Sequence, residues 1–109
     1  CLLQLELHMY TGNHEQILEK IATLNETLAK MIAAADKDAD VDPKVLDIRC
    51  KTIKQMIMEV DNSLGDLHDM LDTMQEYDEE NWPKGVKLVD ELESNTQKLV
   101  EYLRSIGKY

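Results

Sequence analysis

Glycine and proline are scarce in this chain of 109 residues, four and two respectively. With 43% hydrophobic residues, that composition excludes a collagen-like or disordered polypeptide. No apolar run approaches the ~20 residues of a membrane-spanning helix. The opening CLLQLELHMY carries no basic residue, and Glu6 interrupts it, so it does not read as a secretory signal. Lys and Arg number 12 against 22 Asp and Glu, a formal charge of −10. Phosphate backbones and anionic lipid surfaces are held by clustered cations, so neither nucleic acid nor membrane is expected as a partner.

Catalytic groupings are missing as well. There is no Ser/His/Asp or Cys/His arrangement and no phosphate-cradling glycine loop. Carboxylates are plentiful, but on convex helix surfaces they lack the pocket that would separate their pKa values. A non-enzymatic protein is expected.

What the chain does have is heptad spacing. Leu46, Cys50, Ile53, Ile57, Val60, Leu64, Leu67, Leu71 and Met74 step alternately by four and three. An apolar residue every ~3.5 positions gives a long helix with one narrow seam. Leu3, Leu7, Tyr10, His14, Ile17, Ile21, Leu24, Leu28 and Met31 repeat the pattern, and Trp82, Gly85, Val89, Leu92, Thr96, Leu99, Leu103 and Ile106 form a third seam. Asp42–Pro43 reads as a helix start, with the carboxylate capping free N–H groups and proline in the first turn. Asn81 before Trp82–Pro83 is read the same way, and Gly107 as a stop.

The expected fold is all-α: an elongated, antiparallel three-helix bundle, coiled-coil-like, with helices at about 2–35, 43–75 and 82–106. It forms a single domain, read as excised from a longer protein because Cys1 falls inside the first helix. Pairing seams across short turns places Met31 by Leu46, His14 by Leu64 and Leu92, and Leu99 by Ile57. Cys50 then lies far from Cys1, which argues against a bridge and for a reducing, cytoplasmic setting. Gly12 and Gly65 fall off the seams. A well-filled seam leaves no room for a small apolar ligand between helices.

Four features carry candidate function. Asp36, Asp38, Asp40, Asp42 and Asp47 stand at positions 1, 3, 5, 7 and 12 of a calcium-loop pattern. Val41 replaces its glycine, however, and Pro43 its apolar eighth residue, so a solvated acidic turn is the simpler reading. His14, alone in its layer, reads as a partly buried histidine hydrogen-bonded near the surface, whose protonation would weaken the core. From Gln55 to Pro83 there are nine acidic residues and no Lys or Arg. Of these, Asp72, Glu76, Asp78, Glu79 and Glu80, with Trp82, form a candidate docking end for another protein of basic character. At the same end Leu2, Leu5 and Met9 make a second apolar stripe, suited to a partner chain or to self-association.

Three helices in about this length resemble spectrin repeats, BAG-type co-chaperone domains and the regulatory bundles of membrane-fusion proteins. The BAG resemblance implies chaperone binding through a basic third helix. Here the matching stretch, Lys87 to Glu101 (KLVDELESNTQKLVE), contains no arginine. The functional expectation is a scaffold or adaptor module, with a calcium-responsive module as the alternative.

Overall fold

The computed structural model describes residues 14–37 and 42–109, with the backbone alone at Asp36 and Lys37. Three helices follow one another: α1 (His14–Lys37), α2 (Pro43–Tyr77) and α3 (Trp82–Ser105). They form the expected all-α three-helix bundle, 49 × 21 × 18 Å. Leu2, Leu5, Met9, Gly12 and the expected first turns of helix one lie outside the described residues, as do Asp38 and Asp40.

Local chemistry sets most helix ends. The Asp42 carboxylate accepts from the Lys44 backbone N–H at 2.9 Å, and Pro43 opens α2. Gly107 closes α3 at a positive φ of 71°. There the Lys108 N–H reaches the Leu103 carbonyl and the Gly107 N–H that of Arg104, at 2.8 and 3.1 Å. This Schellman arrangement satisfies the carbonyls left open at the helix end, and glycine tolerates its φ without Cβ strain. Asn81 departs from expectation: its side chain makes no cap bond to α3. Its amide donates to Asp78 Oδ2 instead, at 2.9 Å.

α2 is unbroken through Gly65, which is exposed with nothing within 4 Å of where a Cβ would stand. Most of the described seam positions are buried as expected, with Ile106 exposed and Met31, Leu46 and Leu64 half-buried, but each helix buries an extra flank: Leu18 and Asn25 in α1, Met56 and Met70 in α2, Asn95 in α3. A helix that touches two neighbours needs an apolar face wider than a two-stranded seam.

The closest packing is not between chain neighbours α1 and α2. Both pack on α3, and their own backbones hardly approach each other. Val89, Leu92, Leu99 and Leu103 of α3 are accordingly sealed from solvent. Gly85 lets the helices close at one end: a Cβ there would stand 2.8 Å from Leu71 Cδ2 and 3.2 Å from Met74 Cε, with Leu18 also in reach. Between α1 and α3 the contact is partly polar. Asn25 Nδ2 donates to the Leu88 carbonyl at 3.0 Å, and Asn95 Nδ2 to Asn25 Oδ1 at 3.4 Å.

This contact corrects the expected register. His14 lies not beside Leu92 but against Asp78, fourteen positions earlier, at 2.6 Å. Along α3 the slide shows in Asn25, which meets Leu88 and Asn95, and an apolar pattern repeating every seven residues is indifferent to such a slide. The buried asparagines are not.

Candidate functional site

The outward face of α2 changes sign along its length. In its first third Lys44, Arg49, Lys51 and Lys54 are exposed, with Asp47 half-buried and paired to Lys51 at 3.5 Å. Beyond it Asp61, Asp66, Asp69, Asp72 and Glu76 are exposed, and Glu79 and Glu80 continue the series into the turn. The sequence reading singled out the acidic part and missed the basic one, although four cations within eleven residues were there to count.

This order opposes the helix dipole at both ends. No acidic side chain stands in the first turn of α2 and no basic one in the last. Carboxylates near the carbonyl end each cost ~0.3–1 kcal/mol when unscreened. The helix is held by its buried face in spite of its surface charge.

At the acidic end one carboxylate differs from the rest. Asp78 is half-buried and accepts from His14 Nδ1 and from both the side chain and backbone of Asn81. These bonds hold its carboxyl below the ordinary carboxylate range, the Asn81 amide first and His14 second, against a smaller opposing effect of burial. Asp78 therefore ties the start of α1 to the α2–α3 turn. The expected docking set thus divides: Asp72, Glu76, Glu79 and Glu80 face solvent, while Asp78 is engaged inside the fold. Trp82 is half-buried and packs against the core, closing the bundle end.

His14 is the partly buried, hydrogen-bonded histidine expected from its position, but its layer does contain a carboxylate. His68, off the seam as expected, is exposed and contacts Glu93 of α3 at 2.9 Å.

At the opposite end α1 and α2 diverge around an apolar cleft of about 400 Å³. Met31, Leu46, Cys50 and Ile53 line it, with Tyr102 from α3. Met31 and Leu46, paired in sequence, both line it, so the seam is not filled there, contrary to expectation. The reason is the arrangement of the helices: with α1 and α2 each committed to α3, their mutual face stays open. Residues 38–41, which join them, lie outside the described residues.

Of the calcium pattern, only Asp42 and Asp47 have described side chains, and both are engaged within α2, in the Lys44 cap and the Lys51 pair. Among the described residues no group of three or more His, Cys, Asp or Glu could hold a metal ion. No described helix is long and apolar enough to cross a membrane.

No protein family, curated protein or solved structure matches the chain.

Proposed function

We propose that this chain is a non-enzymatic interaction module, a scaffold or adaptor, that docks a basic protein surface on the acidic half of α2 and the following turn. The observation that carries the reading is the run of nine carboxylates with no Lys or Arg from Gln55 to Pro83. Seven of them are exposed, five on α2 and two in the turn that follows its carbonyl end. Charge concentrated this way attracts a cationic partner over a Debye length of ~8–10 Å and orients its approach.

The test is a calorimetric titration with a Lys/Arg-rich synthetic peptide at two salt concentrations. Neutralising Asp69, Asp72 and Glu76 together should weaken binding at least ~tenfold, equivalent to ~1.4 kcal/mol. Neutralising Asp90, Glu91 and Glu101 of α3, also exposed, should change it little. Equal losses from both triples would mean that only net charge is sensed, and the reading would be wrong.

A further inference from the structure

The acidic half of α2 has a complement within the same molecule that it cannot reach: the basic first third of the same rigid helix. We infer that the outward face of α2 is a self-docking surface, on which two copies of this chain pair α2 against α2, antiparallel, the basic part of each on the acidic part of the other. This rests on the docking role given above to the acidic half and names its partner.

Three lysines of the basic part match three carboxylates of the acidic part. Lys44 and Glu76, Lys51 and Asp69, Lys54 and Asp66 are each centred on residue 60, and all six side chains are exposed. A two-fold axis at that point brings every pair together twice, as an isologous dimer requires. A parallel pair would set like charges on like.

Near the axis the surface changes character. Met58 is 64% exposed, unusual for so apolar a side chain. Gly65, close by, leaves open space where a Cβ would stand, so a second backbone can approach. In the dimer the carboxylates at the carbonyl end of one helix meet lysines of the other, which offsets the adverse dipole of the single chain.

The face is ~50 Å long and ~10 Å wide, roughly 500 Å² per copy, at the lower edge of specific interfaces. The dimer is therefore weak and concentration-dependent. A net charge of −10 on each copy opposes approach at low salt, so association is strongest near ~0.15 M, where distant charges are screened and contact pairs are not.

The experiment is sedimentation equilibrium of the full chain at ~0.15 M salt, up to ~1 mM protein. A monomer–dimer equilibrium is expected, weakened at least ~tenfold by Lys51→Glu and likewise by Asp69→Lys. The double variant, which exchanges the two charges, should restore it. Circular dichroism should be unchanged in all three, because both positions are exposed. A chain that stays monomeric throughout overturns the self-docking, as does a dimer that ignores these substitutions. If the basic peptide still binds the acidic half, the docking role survives that failure. If it does not, both fall together.

Discussion

The two ends of the bundle are built from the same kinds of residue and pack very differently. At the turn end Gly85 brings Leu18, Leu71 and Met74 within van der Waals reach, Trp82 closes the layer, and Asp78 bonds to both His14 and Asn81. At the loop end a cleft of about 400 Å³ separates α1 from α2, and Ile48 on its lining stands exposed. The difference follows from length. α2 has 35 residues and α3 has 24. At 1.5 Å per residue α2 is ~16 Å longer than α3. The short turn between Tyr77 and Trp82 aligns the end of α2 with the start of α3, so the excess falls at the loop end. Seams of good quality are not sufficient for a closed core; the helices must also be matched in extent.

The contrast can be broken most severely in the core. Leu18→Ala, at a fully buried position of the turn end, should cost ~2–5 kcal/mol in urea unfolding, whereas Leu46→Ala, beside the cleft, should cost ~1 kcal/mol or less. Equal losses would show that the cleft is closed in solution. Gly85→Val should cost ~1–3 kcal/mol by overpacking against Leu71 and Met74, read as a lower urea midpoint. Gly65→Ala should act the other way, stabilising the monomer by up to ~1 kcal/mol, since helix propensity improves and nothing is crowded.

The smallest effect concerns pH. The folded Asp78 carboxyl is held below the ordinary carboxylate range. Its contribution is therefore present above the unfolded value and disappears as pH falls through the folded one. Thermal melts should show Asp78→Asn less stable than the parent at pH 7, with the gap narrowing as the solution is acidified through the carboxylate range. A gap that widens on acidification would reverse the assigned sign.

Much of this fold was legible in the amino-acid order. Seam spacing located the three helices, Asp42–Pro43 and Gly107 marked ends that hold in detail, and Gly65 fell on the exposed side as its position required. What could not be read was partnership. A heptad seam states which face is apolar and leaves open which neighbour covers it, and sliding by seven residues, ~10 Å, keeps apolar against apolar. Hence His14 was paired with Leu92 rather than with its true neighbour, Asp78. The signal that resolves the slide is polar: Asn25 lies one position beside Leu24 and is buried where it reaches the Leu88 carbonyl. A single buried amide of this kind specifies register because most alternatives leave it without a partner. The candidate surface was half legible for a related reason. Acidic residues stood out as an uninterrupted run, while the basic counterpart was interleaved with seam residues and emerged only when exposure was assigned side chain by side chain.

Because α1 and α2 both lean on α3, the order of synthesis matters. A ribosome delivers the first two helices before the one on which both pack, and their apolar faces wait for the last segment of the bundle to emerge. Truncation anywhere within Val89–Leu103 should therefore leave an unfolded chain rather than a smaller folded one. That makes the bundle an all-or-nothing product of translation.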